Sequence, residues 1–261
     1  MLWRILKYIR HQFHRRHRRG HGIHSPFLFE FLNGVLFNAS GMEVPGEIRQ
    51  MHRELGKDRS MIPAGKLGAT CNVDPAEVRS VRSFVLRSSV TEKYGALLFR
   101  ITRWFRPEMI IELGTGLGIS TLYLASSSPE VPIHSIEGNT DRADFAAQLM
   151  CRCNLGPVSI HWGEMEEKLE DLMPVLKGRY VAFVDGNHRY DPTISYVKML
   201  LSKAGEEAVI IMDDIYWSNG MFRAWKEVVS WPEVRISIDL FHMGILLLRK
   251  DLNKEHLKIK F

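Results

Sequence analysis

The sequence predicts an α/β fold: a mostly parallel sheet with helices on both faces, a C-terminal antiparallel hairpin, and a helical N-terminal extension. Three observations in the 261 residues carry this expectation. From residue 109 onward short apolar runs alternate with stretches of helical periodicity, the pattern of βαβ units and a parallel sheet. The first of those runs leads into "IIELGTGLGIS", Ile110–Ser120, where three glycines in five residues separate a strand from a helix. The last two runs are joined only by "FHMG", too short for a parallel crossover, so they must pair antiparallel.

Composition bounds the rest. With 45% hydrophobic and 25% charged residues, the chain can bury a full core and is not of a disordered class. Its longest purely apolar runs, such as Ala208–Met212 and Ile245–Leu248, fall far short of the roughly 20 residues a membrane-spanning helix needs. The apolar residues at the start are interrupted by Arg4, Lys7 and Arg10, which breaks the continuous stretch a secretory signal requires. A cytoplasmic location is expected, with the inner face of the membrane as a peripheral site. Three cysteines, two of them in Cys151-Arg152-Cys153, fit neither a disulfide framework nor a paired zinc motif and read as reduced thiols.

Taken in order, the elements begin with a basic segment. Residues 1–24 hold seven Lys/Arg and no acid, more than the whole net charge of +5, so the remainder is slightly acidic. Leu2, Trp3, Ile5, Leu6, Ile9 and Phe13 recur near helical spacing among those cations, which makes an amphipathic helix. Such a helix either meets an anionic membrane surface or nucleic acid, or docks its apolar stripe on its own domain with the charges in water; the second is preferred. His11, His14 and His17 recur every three residues and could line a transition-metal face, against the simpler reading of a solvated basic face. Ser25-Pro26 reads as N-cap and first-turn proline of a short apolar helix through Phe37. Residues 38–73 are the least patterned and read as a linker or lid. Asp74-Pro75-Ala76-Glu77 resembles a capped helix start, with the helix running to about Arg87, and another helix spans Thr91 to Phe105. These segments divide the chain into an extension over 1–90 and a catalytic domain over 91–261.

Strands are expected near Met109–Leu113, Pro132–Ile136, Val158–His161, Tyr180–Val184 and Ala208–Met212, then Val234–Leu240 and Ile245–Arg249 for the hairpin. Gly114, Gly116 and Gly118 thus lie at the carboxyl end of the first sheet strand, where open α/β sheets bind ligands. The spacing is G-x-G-x-G, with Ile119 where the dinucleotide fingerprint has its third glycine. Glu137, at the end of the next strand, stands where an acid accepts the hydroxyls of a ribose. The two features together indicate a nucleotide-type cofactor. Asp185 ends the fourth strand and Asp213-Asp214 end the fifth, so three carboxylates converge on the same rim. Like charges that close raise one another's pKa unless a cation compensates them, and oxygen-only ligands select Mg²⁺, Ca²⁺ or Mn²⁺. The plainer alternative has Asp185 bonding backbone or cofactor and Asp214 capping a helix. His188, three residues beyond Asp185, is a candidate general base, against a solvent-facing loop histidine. His134 and His161 fall inside strand patterns and read as satisfied core or edge residues. Tyr216, Trp217 and Phe241-His242-Met243 are candidates for an acceptor pocket, against ordinary packing.

"IIELGTGLGIS", the acid of "SIEGN", "FVDGNH", "IMDDIYW" and the terminal hairpin together resemble the class I S-adenosylmethionine-dependent methyltransferases with their Rossmann-like sheet. Within them the chain resembles the cation-dependent catechol O-methyltransferase-like group, over roughly residues 91–250. The resemblance implies that Glu112 and the Gly114-Thr115-Gly116-Leu117-Gly118 turn hold the methionine part of the cofactor and that Ser120 binds its carboxylate. It further implies that Glu137 grips the ribose, that Glu164 reaches the adenine, and that His188 takes the place of the group's basic lysine. The catechol enzymes have Asp-Asn where this chain has Asp213-Asp214, which makes the site here more negative. "GHGIHSPF" resembles the start of a group of bacterial methyltransferases of undefined substrate. The expected function is methyl transfer to oxygen of a small-molecule acceptor with divalent-cation assistance. Two rivals stand: a nicotinamide-dependent oxidoreductase, which has no need of acids at the ends of strands four and five, and a non-catalytic adaptor that binds anionic lipid or RNA through the basic segment. A nucleic-acid methyltransferase is disfavoured, because no Asn/Asp-Pro-Pro motif is present. Oligomeric state is open, a homodimer included.

Overall fold

The N-terminal third is helical and wraps the sheet that follows it. In the computed structural model, which describes residues 2–13, 25–37, 41–63 and 78–261, it comprises α1 (Leu2–Phe13), α2 (Pro26–Phe31) running into a π-helical turn (Leu32–Phe37), and α3 (Gly46–Leu55). An antiparallel ribbon of β1 (Met61–Pro63) and β2 (Val78–Ser80) follows, then α4 (Val81–Ser88) and α5 (Glu92–Phe105). Ser25 caps α2 by accepting the Leu28 N–H at 3.3 Å, with Pro26 in the first turn, as expected. Two expectations are corrected. The 38–73 stretch contains α3, whose Ile48, His52 and Leu55 are buried, and the His52 ring nitrogen lies 2.8 Å from the Tyr123 hydroxyl in the core. Asp74-Pro75-Ala76-Glu77 lies outside the described residues, but Val78–Ser80 is extended; α4 starts instead on Ser80, whose Oγ accepts the Ser83 N–H at 3.2 Å.

The sheet is built by β3 (Met109–Leu113), α6 (Ile119–Ser127), β4 (Ile133–Glu137), α7 (Thr140–Arg152), β5 (Val158–Trp162), α8 (Met165–Leu172), β6 (Tyr180–Val184), α9 (Tyr190–Lys203), β7 (Val209–Met212), α10 (Asn219–Ser230), β8 (Ile236–Asp239), β9 (Gly244–Leu247) and β10 (Glu255–Lys258). Its order is β10-β8-β9-β7-β6-β3-β4-β5; β5, β4, β3, β6 and β7 are parallel, and β9 is antiparallel to both β7 and β8. The expected hairpin is therefore present. β10, parallel to β8, was not expected. Alternate residues of the central strands feed two cores: Ile110, Val181, Phe183 and Ile211 face α3, α5 and α6, while Ile111, Ala182, Val184 and Met212 face α8, α9 and α10. The chain winds outward from β3 through β4 and β5, then returns to β6 on its other side. That switch point opens a crevice at the carboxyl ends of β3 and β6. Among the described residues no helix is long and apolar enough to cross a membrane.

Helix α1 docks on this same edge of the sheet, the preferred of the two readings. Trp3 meets Phe222 edge-on at 5.9 Å between centroids and Tyr8 meets Phe241 at 5.0 Å. His11 is buried, with Nε2 3.0 Å from Asp239 Oδ1, so the proposed metal face is not formed by it; His14 and His17 lie outside the described residues. Asp239 also accepts from the Tyr216 hydroxyl at 2.8 Å and the Phe241 N–H at 2.9 Å. Burial alone would raise this carboxyl, yet the His11 contact and the Tyr216 bond outweigh it and hold the group below its ordinary value. Its contribution to stability is therefore present above the unfolded carboxyl value and is lost as pH falls through the lower folded value. Removing one partner of such a buried pair leaves the other stranded, so Asp239→Ala should destabilise the protein by about 3–5 kcal/mol in urea unfolding at neutral pH. A loss below about 1 kcal/mol would contradict this account of the dock.

Candidate active site

The glycine turn connects β3 to α6. Gly114 has φ +101°, and a Cβ there would lie 2.5 Å from the Asp185 carbonyl oxygen, so close packing against the end of β6 demands glycine. Gly116, at φ +55°, differs: nothing lies within 4 Å of where its Cβ would be. Its bare face looks into the open crevice, the space a ligand needs to approach backbone. Gly118 is the N-cap of α6, and the first turn of that helix, with Ser120 buried in it, presents its amide end to the crevice.

Behind the turn Glu112 is fully buried. Its Oε2 accepts from the Thr121 hydroxyl at 2.6 Å and the Ser135 hydroxyl at 2.5 Å, while Oε1 has no partner. Burial raises its pKa, and the hydroxyls of Ser120, Ser135 and Thr121 pull in the opposite direction. The Thr115 side chain turns inward, with Oγ1 2.6 Å from Ser135 Oγ, so this residue offers the crevice only backbone. At the end of β4, Glu137 accepts the Gly116 N–H at 2.8 Å on Oε2 and the Asn139 N–H at 2.9 Å on Oε1, with Arg142 Nε 3.6 Å away. Burial raises this carboxyl too, offset by Arg142 and the backbone donors. Glu137 thus binds the turn to the second strand end and faces the same crevice. Ser135, Asn139 and Arg142 belong to this assembly and were missed; only the polar serine inside an apolar strand could have signalled one of them. Glu164 is exposed at the start of α8, and its side chain caps nothing.

Beside the turn stands the acid rim. The Asp185 N–H donates to the Leu113 carbonyl at 2.8 Å, and the Asp213 N–H to the Val184 carbonyl at 2.9 Å, which fixes both acids next to β3. Their side chains are hydrogen-bonded to each other. Burial first, then the neighbouring acids Asp213 and Asp214, push Asp185 well above the carboxylate range; burial and Asp214 push Asp213 up likewise. Asp214, at φ +49°, turns away to Arg4, whose Nη2 lies 3.3 Å from both Asp214 Oδ1 and His242 Nδ1 and whose guanidinium sits 5.0 Å from the Trp217 ring centroid. As they stand, no three acidic, histidine or cysteine side chains among the described residues are grouped to hold a metal ion. The expected Asp185–Asp213–Asp214 triad is therefore only two-thirds assembled, because an arginine from α1 occupies the third acid.

His188 follows Asn187, and both adopt positive φ, +35° and +67°. Left-handed backbone at two successive non-glycine residues costs energy that surrounding structure must repay, and such bends cluster at functional sites. The bend places His188 Nε2 3.4 Å from Asp185 Oδ1, with Nδ1 buried and without a partner. Burial lowers its pKa, so the ring is neutral near pH 7. Of the aromatic candidates, Tyr216 stacks on Phe241 at 4.6 Å and Met243 is buried in the core, while Phe241 and His242 line a cavity beneath α1. His134 on β4 and His161 on the edge strand β5 have ring nitrogens 3.0 Å apart and satisfy each other, as expected.

This geometry fits S-adenosylmethionine: an amide-lined turn, a helix start for its carboxylate and an acid for its ribose. Glu137→Gln keeps the shape but removes a charged acceptor, which should weaken S-adenosylmethionine binding by about 10–100-fold in calorimetry without unfolding the protein. Gly116→Val, which fills the open face of the turn, should do at least as much. Unchanged affinity in both variants would contradict the site.

Comparison with known proteins agrees. Residues 111–215 match a family described as "Methyltransferase domain". No curated protein sequence matches the chain. Among solved structures, an SAH-bound methyltransferase from Podospora anserina shares 15% identity over 79% of this chain and 89% of its own, with a TM-score of 0.58. An O-methyltransferase from Bacillus cereus in complex with SAH shares 17% over 85% and 97%, at 0.56. The O-methyltransferase TomG from Streptomyces achromogenes, involved in tomaymycin synthesis and bound to SAM, shares 22% over 64% and 85%, at 0.53. The sheet order, the glycine turn and the matched domain coincide on the same residues: the chain has the class I, Rossmann-like methyltransferase fold, and its residues 111–215 match a methyltransferase domain.

Proposed function

We propose that the enzyme methylates an oxygen of a small hydroxyl-bearing acceptor, with His188 as the base and a divalent cation held by Asp185, Asp213 and Asp214. One observation carries this reading: a half-buried histidine, its pKa lowered, and an acid pair, its pKa values raised, stand on the rim that adjoins the cofactor turn, tied to it by the 2.8 Å bond from Asp185 N–H to Leu113. With Nε2–H directed at Asp185, the lone pair on His188 Nδ1 is unengaged and can accept a proton from the acceptor hydroxyl. Asp185 then stabilises the imidazolium that forms. The turn and Glu137 hold the donor, and in-line positioning supplies most of the remaining barrier reduction. Carboxylate oxygens are the donors a hard cation takes, and two adjacent, half-buried acids that push each other's pKa up are the electrostatic problem a cation solves. Asp214 joins that set when it gives up Arg4. A bound divalent ion supplies Lewis acidity that lowers the pKa of an acceptor hydroxyl. Two of the structural neighbours are named O-methyltransferases, which supports oxygen as the atom methylated.

The test is a screen of hydroxyl-bearing metabolites with methyl-labelled S-adenosylmethionine, read by S-adenosylhomocysteine release and by locating the label with NMR. Label on an acceptor oxygen supports the reading. Turnover that places it only on nitrogen or carbon overturns it.

A further inference from the structure

Beneath α1 lies a cavity of about 220 Å³ lined by none of the cofactor-turn residues, nor by Asp185, His188 or Asp213. Its wall includes the rings of Tyr94, Phe241 and Phe261, and two cations, Lys93 and Lys260. Lys93 Nζ sits 4.4 Å from the Phe261 centroid. Among the described residues no carboxylate pairs with either lysine. Burial and then the charge of Lys260 both disfavour the protonated form of Lys93, the signature of two cations held together without a counter-ion. The same wall holds His11, buried, whose Nδ1 has no partner. Two cations set among aromatic walls form a site for an anion carried on a flat ring. The volume suits one substituted ring, since a cavity of ~150 Å³ already accommodates benzene.

The cavity also reaches the acid rim. His242, in its wall, shares Arg4 Nη2 with Asp214, each at 3.3 Å, and the Tyr94 ring lies 5.5 Å from that of His242. A ring whose anion rests on Lys93 and Lys260 therefore shares the cavity with His242, the wall residue that contacts the Arg4–Asp214 pair of the acid rim. We infer that this cavity binds the anionic group of a single-ring aromatic acceptor, a carboxylate or a phosphate, and so sets the acceptor class. The inference rests on the O-methyl transfer proposed above, and it makes α1, which contributes His11, part of the acceptor site.

Calorimetry on the full chain tests it, with S-adenosylmethionine titrated first and then three single-ring probes: 4-hydroxybenzoate, phenyl phosphate and the neutral 4-hydroxybenzamide. At least one anion should bind about tenfold or more tighter than the amide, and which one does so separates carboxylate from phosphate. Lys93→Gln and, independently, the exposed Lys260→Gln should each remove most of that preference while S-adenosylmethionine affinity stays within about twofold. Equal binding of all three probes, binding of none, or a preference that survives both substitutions overturns the proposal and leaves the methyl-transfer reading standing. An anion preference in a protein that fails to bind S-adenosylmethionine would uphold the anion site but overturn its assignment to a methyl acceptor.

Discussion

His188→Ala is expected to lower kcat by on the order of 10²–10⁴, the range a positioned general base contributes, while S-adenosylmethionine affinity stays unchanged. The expectation follows from the Nδ1 atom that has no protein partner and from Nε2 resting 3.4 Å from Asp185. A merely structural histidine in that bend would behave differently. Its loss would relax Asn187 and the Gly186 turn and would lower stability and cofactor binding together. His188→Gln, which keeps a polar side chain there but offers no comparable base, should be nearly as slow as the alanine variant. Wild-type kcat in either variant would remove His188 from the mechanism.

The second large effect concerns the acids. Excess EDTA should stop turnover and Mg²⁺ restore it, and Asp213→Ala should cost on the order of 10²-fold or more in kcat while abolishing the response to Mg²⁺. The same substitution should leave stability unchanged or raise it, because it removes one of two adjacent carboxyls whose charged forms desolvation and mutual repulsion disfavour. A catalytic loss without a stability loss distinguishes a ligand from a packing residue. Full activity in EDTA would leave His188 as the base in an enzyme that works by positioning alone.

The elements that were legible in the sequence are those whose physics is local. Positive φ at Gly114, Gly116 and Gly118 is written into residue type, and a four-residue link admits only a hairpin. Glu137 was legible because an acid ending an apolar strand has few other reasons to be there. The π-helical turn after α2 and the strand β10 were not, since "LNGVLF" reads as ordinary helix and "EHLK" has too little apolar alternation to stand out. Helix α3 was hidden in a stretch punctuated by Gly and Pro, although its buried residues recur at helical spacing. What the sequence could not reveal were pairings across the fold. Arg4 meets Asp214 from 210 positions away and His11 meets Asp239 from 228, so the helix that opens the basic segment packs against the strand ends. Those contacts also explain why the acid triad, correctly placed at two strand ends, is incomplete: the counter-charge for its third member comes from the chain itself.

The most direct measurement is calorimetric titration of the full chain with S-adenosylmethionine and, separately, with NAD⁺ and NADH. The geometry of the Gly116 face, the α6 start and Glu137 predicts saturable one-to-one binding of S-adenosylmethionine, weakened in Glu137→Gln, and no binding of either nicotinamide cofactor. Tight NAD(H) binding without S-adenosylmethionine binding would contradict it.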